Sequence, residues 1–374
     1  MIDKPLNQIT EADLSALVAT KRAEGKRLDY KLALPGGNDK ESKEFLADVT
    51  SFANTDGGDL IIGIRDDDGI AAEIVGIASH GLDNTITAIE NRVRDGVEPR
   101  LPSFHLHPIH LANGNVVLVL RIGASLVAPH RVSYRSESRF SARNSRGKYP
   151  MDTGEIRLAF AATDEMPRKL RDLHREAIAA ADGTDFPARM GDNPFAVLTV
   201  APLGVLRSQH EIEVTREVAV LPPGNGMNPR FIVALEGMIV HAQDGAEAWA
   251  VTHRKGYIDF AWDIAAQAVE YPNLVPGVLF QRNFVNAANF AAARLIERGM
   301  EGPWIVMATI KQVRDYVVAW RRQDDFEART QAAWRTDAYL GEITADALNR
   351  ETIAPLLAAF WRVFGENEPP NIGE

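Results

Sequence analysis

The stretch from Asn54 to Gly69, Asn-Thr-Asp-Gly-Gly-Asp-Leu-Ile-Ile-Gly-Ile-Arg-Asp-Asp-Asp-Gly, constrains the fold more than any other part of the chain. Just upstream, Phe45, Val49 and Phe52 recur at helical spacing, so an amphipathic helix is expected to end near Asn54. Gly57 suits a left-handed residue after that helix, and Gly58 lets the next strand start close to its neighbour. Leu60 to Ile64 is a short continuous apolar run, as expected of a strand covered on both faces. Asp66-Asp67-Asp68-Gly69 then has the composition of a turn.

Other segments supply partners for that strand. A helix capped at Thr10 carries Leu14, Leu17 and Val18 on one face, with Gly25 as a plausible C-terminal cap. Arg27 to Leu34 alternates, placing Leu28, Tyr30 and Leu32 on one face of a strand and Asp29 and Lys31 on the other. A helix from Leu82 to Val97 is expected next, then a hairpin of Phe104–Leu111 and Val116–Ile122 turned at Asn113-Gly114. Short strands at 132–134 and 139–142 precede a helix opening at Asp152 and a further long helix from Met166 to Ala181.

Residues 182–193 are rich in Gly, Asp and Pro, and the expected organisation is two domains, 1–185 and 186–374. In the second, 195–200, 230–235, 237–241, 248–252 and 257–262 suggest an antiparallel meander. A buried strand at 304–310 and helices at 284–298 and 352–364 complete it. The predicted class is α+β throughout.

Composition narrows the chemistry. With no cysteine, the chain has no disulfide, no cysteine nucleophile and no thiolate zinc site. No apolar run reaches the roughly 20 residues that span a bilayer, and the first residues lack a secretory layout, so a cytoplasmic protein is expected. Phosphate-loop, dinucleotide-fold, His-Glu-x-x-His and Gly-x-Ser-x-Gly patterns are missing. His105 and His107 fit one face of a strand better than a metal site.

Net charge is −10, yet residues 1–160 hold 20 Lys and Arg against 22 Asp and Glu. Within them, Arg131, Arg135, Arg139, Arg143, Arg146 and Lys148 face a single acid, Glu137, between 131 and 148. Local patches of this kind, interleaved with aromatics, decide polyanion binding. Glu24, Asp29 and Asp66 are the acids that neighbouring strands could bring together. Oxygen-only ligands suit Mg²⁺ or Mn²⁺, with Lys31 available to a phosphate oxygen.

Phe52-Ala53-Asn54-Thr55-x-Gly57-Gly58 followed by Leu60-Ile61-Ile62-Gly63-Ile64 resembles the Schlafen AlbA-type domain family. Glu24 and Asp29-Tyr30-Lys31 stand at the spacing of that family's Glu and Glu-Phe-Lys, with Asp for Glu and Tyr for Phe. Arg139-Phe140, Arg143-Asn144 and Thr153-x-Glu155 are similar to the segment that ends the domain, so the likeness covers about residues 10–165. The resemblance implies a nucleic-acid-handling module with an AlbA-like mixed sheet. It further implies a metal-dependent endoribonuclease acting on tRNA or other structured RNA, in prokaryotic defence or stress. By motif position, Glu24, Asp29 and Asp66 would be both the catalytic residues and the metal ligands. Lys31, Arg135, Arg139, Arg143, Arg146 and Lys148 would hold nucleic acid. Asp29 is one methylene shorter than the family's Glu, which reduces its reach. Only one lobe is present, so a comparable cradle would need a homodimer. The alternatives are a non-catalytic DNA- or RNA-binding regulator and, from the older family label, an ATP-binding module.

Overall fold

A computed structural model describes all residues except 3, 184–188, 207–210, 225–227, 243–246, 267–272, 323–324, 329–330 and 368–374. The expected junction at 182–193 therefore lies partly outside the described residues. Two compact units form: Met1–Pro167 with 206–209 and 297–301, and the remainder from Arg168 onward.

The first unit contains α1 (Glu11–Ala19), β1 (Leu28–Lys31), α2 (Asp39–Ala53), β2 (Gly58–Ile62), β3 (Ile64–Asp67), β4 (Ile70–Ile74) and α3 (Leu82–Gly96). After these come β5 (Val97–Glu98), β6 (Phe104–His110), β7 (Val116–Ile122), β8 (Arg131–Tyr134), β9 (Glu137–Asn144) and β10 (Gly147–Pro150). One mixed sheet runs β1-β2-β7-β6, with β1 and β2 parallel and the other pairs antiparallel. A second runs β10-β9-β8-β5, and β3 and β4 form a hairpin of their own.

β2 is covered on both faces, as its apolar run requires. Leu60 and Ile62 join Phe45, Val49 and Phe52 of α2 with Ile89 and Val93 of α3. Ile61, with Leu28 and Tyr30, packs instead with Leu14 of α1. The Gly57-Gly58 pair is backbone-driven. Gly57 has φ +66°, and a Cβ there would lie 2.6 Å from the Ile122 carbonyl oxygen; at Gly58 it would lie 2.5 Å from that of Arg27. Asn54 explains its own place in the motif. Its side chain donates to the carbonyls of His130 (2.8 Å) and Ser141 (2.9 Å) and accepts from the His130 N–H (2.6 Å).

Two local expectations change. The first helix ends at Ala19 with Lys21 at φ +49°, so Gly25 does not cap it and Glu24 lies beyond it. Backbone pairing displaces both: Glu24 N–H donates to the Gly69 carbonyl at 2.7 Å, and Ala23 bridges Ile70. The helix opened at Asp152 and the long one after it are a single helix, α4 (Thr153–Ala181), which passes through Pro167. Proline removes one helical hydrogen bond, but the Ala-rich and long-side-chain residues around it favour helix strongly enough to continue.

The second unit begins in α4 at Arg168. It adds β11 (Phe195–Pro202), β12 (Pro229–Val233), β13 (Gly237–Ala242), β14 (Ala248–His253), β15 (Tyr257–Asp263), β16 (Leu274–Pro276) and α5 (Gly277–Glu297). β17 (Trp304–Lys311), β18 (Val317–Arg322), β19 (Asp325–Ala328), β20 (Ala338–Ala345) and α6 (Arg350–Val363) complete it. The expected meander is present in a seven-stranded antiparallel sheet, β12-β13-β14-β15-β11-β17-β20. One face packs Val197, Val251 and Ala261 against Ala177 and Ala181 of α4. On α5 and α6, Phe280 stacks on Phe360 at 3.8 Å between ring centroids and on Trp262 of β15 at 6.2 Å. Among the described residues no helix is long and apolar enough to cross a membrane.

Candidate functional site

The alternation of β1 sends Leu28 and Tyr30 into the core and leaves Asp29 and Lys31 on the other face. Asp29 is nonetheless buried, because β9 delivers Arg143 to it. Arg143 Nη2 donates to Asp29 Oδ2 at 2.7 Å, and Lys31 Nζ donates to Asp29 Oδ1 at 2.5 Å. A second buried acid, Asp48 of α2, completes the cluster. Lys148 Nζ lies 2.9 Å from Asp48 Oδ1, Arg143 Nη1 3.8 Å from Oδ1 and Lys31 Nζ 4.0 Å from Oδ2. The Arg143 guanidinium has no exposed side-chain surface and sits over the Phe52 ring, 4.2 Å from its centroid. Three cations thus interleave with two buried carboxylates, the arrangement that lets charge be buried at all.

The acids respond differently to this setting. Burial works to raise Asp29, but the charges of Lys31 and Arg143 outweigh it and hold the carboxyl below its usual value. Burial pushes Asp48 up, more than Lys31 and Lys148 pull it down. Glu24 is raised by burial and by the adjacent Asp29 charge, although its Oε1 accepts the Tyr30 N–H at 2.8 Å.

Glu24 and Asp29 therefore do meet. Asp66 accepts the Gly69 N–H on its Oδ2 at 3.0 Å, and the Gly69 carbonyl in turn accepts the Glu24 N–H at 2.7 Å. Asp68 and Gly69 both have positive φ, +50° and +74°, the pairing of a type I′ hairpin between β3 and β4. Among the described residues no group of three or more His, Asp or Glu side chains is placed to hold a metal ion. Both Asp29 oxygens already carry a cationic donor, and a dication there would face Lys31 and Arg143. The three carboxylates, as arranged, do not fit a divalent-metal centre.

The basic residues divide. Lys31, Arg143 and Lys148 neutralise Asp29 and Asp48, and Lys148 also pairs with Glu44 at 2.8 Å. Arg135, Arg139 and Arg146 are exposed. Arg135 pairs with Asp39 (2.8 Å) and Arg139 with Glu137 (3.2 Å). Two open clefts lie beside these groups. One, of about 310 Å³, places Glu24 among Arg22, Lys26 and Arg27; the other, of about 180 Å³, gathers Lys40, Lys43 and Arg139 against Glu44 and Glu137. Sequence reading missed Asp48, Lys40 and Lys43. Their signal is weak, since Lys40 and Lys43 share a face of α2 by i, i+3 spacing and Asp48 is one acid in an amphipathic helix.

A mixed-sheet α+β domain with a buried acid–base cluster and exposed arginines on β9 and its two flanking turns is the class these observations define. Residues 24–152, all within the first unit, match the family described as Schlafen, AlbA_2. No curated protein matches the chain. Solved structures are similar at low identity. The DIP2311 protein of Corynebacterium diphtheriae is 20% identical, over 39% of this chain and 27% of that one, with TM-score 0.27. The N-terminal domain of a RecG-related protein of Nitrosomonas europaea is 19% identical, over 37% of this chain and 89% of that one, with TM-score 0.29. The chain thus spans about a quarter of the length of the first.

Proposed function

We propose that the first unit binds nucleic acid, structured RNA such as tRNA in particular, through Arg135, Arg139 and Arg146 and the clefts holding Lys40, Lys43, Arg22 and Lys26. The observation that carries this reading is the division of the cations. Arg143, Lys31 and Lys148 pair with the buried Asp29 and Asp48, while Arg135, Arg139 and Arg146 are exposed and any acid they meet lies at the surface or only half-buried. Exposed cations on a rigid base release counterions when they meet phosphates, which makes binding strong at low salt and steeply salt-dependent. The proposal places the protein in the cytoplasm and includes a homodimer, whose two copies would supply a two-sided cradle.

Fluorescence anisotropy of labelled tRNA with the full chain tests it. Arg135→Ala, Arg139→Ala and Arg146→Ala together are expected to weaken binding and to flatten the salt slope by about 0.7–0.9 for each arginine that had neutralised a phosphate. Unchanged affinity and slope would sink the proposed surface. Sedimentation velocity with and without tRNA reads the dimer.

Endoribonuclease activity is the second reading, favoured by one observation: Glu24 and Asp29 meet, with Glu24 held above its usual range at the edge of an open, basic cleft. Incubating tRNA with the full chain, with and without Mn²⁺, beside Glu24→Gln and Asp66→Ala, separates the two. Cleavage lost in Glu24→Gln alone puts the chemistry at Glu24. Cleavage that needs Mn²⁺ and is lost in both variants restores the three-carboxylate site. Binding with no cleavage leaves a non-catalytic regulator.

A further inference from the structure

The second unit buries a line of polar side chains where an apolar sheet face would be expected. It runs from His253 of β14 through Asp259 of β15, Thr199 of β11 and His174 of α4 to Thr309 of β17. His253 Nε2 lies 2.7 Å from Asp259 Oδ2, and the Thr199 hydroxyl donates to Asp259 Oδ1 at 2.6 Å. His174 Nδ1 lies 2.9 Å from Thr199 Oγ1, and His174 Nε2 lies 2.8 Å from Thr309 Oγ1. Asp259, Thr199, His174 and Thr309 are all buried, each with a partner.

The order of donors follows from the chemistry at one end. Thr199 gives its proton to the Asp259 carboxylate, so its oxygen must accept, and His174 Nδ1 must carry the hydrogen. Burial holds His174 down at about 4, so the imidazole is neutral near pH 7 and its Nε2 offers a lone pair. Thr309 therefore donates to Nε2. Its hydroxyl proton is committed, and what its oxygen has left to offer is a lone pair.

Thr309 also lines a cavity. A space of about 380 Å³ is lined by Thr309 and His174 together with Ile178, Met307 and the Tyr339 ring. Its size falls within the range of small-molecule sites, and its walls are mainly apolar around few polar groups. The cations at the rim are occupied. Arg171 pairs with Glu342 at 2.6 Å, Lys311 with Asp337 at 3.0 Å and with Asp182 at 3.3 Å, and Arg175 with Asp172. A balanced rim favours an uncharged ligand over an anion.

We propose that this cavity binds an uncharged aromatic molecule carrying an N–H donor, an aromatic amide or amine, with the N–H given to Thr309 Oγ1 and the ring lying against Ile178, Met307 and Tyr339. His174, Thr199 and Asp259 are positioning residues, which fix the direction of the Thr309 hydroxyl.

Saturation-transfer NMR on the full chain with benzamide, and with N,N-dimethylbenzamide as its donor-free counterpart, tests this. Benzamide is expected to bind saturably, and the dimethyl compound at least about tenfold more weakly. Thr309→Val should weaken benzamide by a similar factor, while Thr309→Ser retains it. Ile178→Trp fills the cavity while keeping every residue of the polar line and should abolish binding; it decides the matter even if Thr309→Val fails to fold. No benzamide binding by the wild type, equal binding of the two compounds, or full binding by Ile178→Trp would each overturn the proposal.

Discussion

Each unit buries acids and bases, and the two do it by opposite means. Beneath β9 the first unit interleaves formal charges: Arg143, Lys31 and Lys148 against Asp29 and Asp48. Across its large sheet the second unit threads largely neutral groups, with one carboxylate at Asp259 and hydroxyls and an imidazole beyond it. A charge cluster depends on every member, because removing one strands its partner in a medium that solvates charge poorly. A neutral line depends on direction, since each group must donate one way and accept the other. The first arrangement stiffens a platform. The second sets the polarity of whatever group ends the line.

The sharpest way to break this contrast is Arg143→Met. It leaves Asp29 and Asp48 without their shared guanidinium and is expected to cost about 3–5 kcal/mol, read by urea denaturation of the full chain. Adding Asp29→Asn should recover part of that loss. If Arg143→Met is nearly neutral, the cluster is not the support described.

pH separates the two regions next. His174 has its folded value lowered to about 4 from the usual 6.5, so between those values the unfolded chain takes a proton that the folded chain refuses. Its contribution is full above about pH 6.5 and is lost as pH falls toward 4, by about 3 kcal/mol at most. Asp29, held below its usual 3.8, contributes in full above that value and loses its contribution only as pH falls below it. Asp48 runs the other way, since its raised value makes its share fade as pH rises through it. Thermal melts from pH 7 to pH 4 should therefore soften the second unit first, and His174→Gln should flatten that slope.

Smaller effects sharpen the contrast within the first unit. Asn54→Ala removes three hydrogen bonds tying α2 to the segment before β8 and to β9, and should cost about 1–3 kcal/mol in the same melts. Asp66→Ala removes one hydrogen bond in a hairpin turn and is expected to cost about 0.5–1.5 kcal/mol. An Asp66 effect as large as that of Asn54 would mean that Asp66 does more than hold its turn.

What the sequence by itself determined lies mostly in short-range periodicity and backbone demand. The helix into Asn54, the glycine pair, the doubly buried β2, the Asn113-Gly114 hairpin and the C-terminal meander all follow from spacing that adjacent residues impose. The family resemblance, read over about residues 10–165, is carried by that same scaffold, and the family match covers 24–152. Tertiary structure decided the chemistry. Whether a cation reaches phosphate or a buried acid depends on which strand lies opposite, and Arg143 met Asp29 across 114 residues of chain. Asp66 read as a site residue by position, and the fold shows that its carboxylate also accepts the Gly69 N–H of its own turn. His174 gave no signal at all, because one histidine on a helix acquires direction only when Thr199, Asp259 and Thr309 arrive from three separate strands. Periodicity is local and survives in the sequence, whereas pairing between distant side chains exists only once the chain has folded.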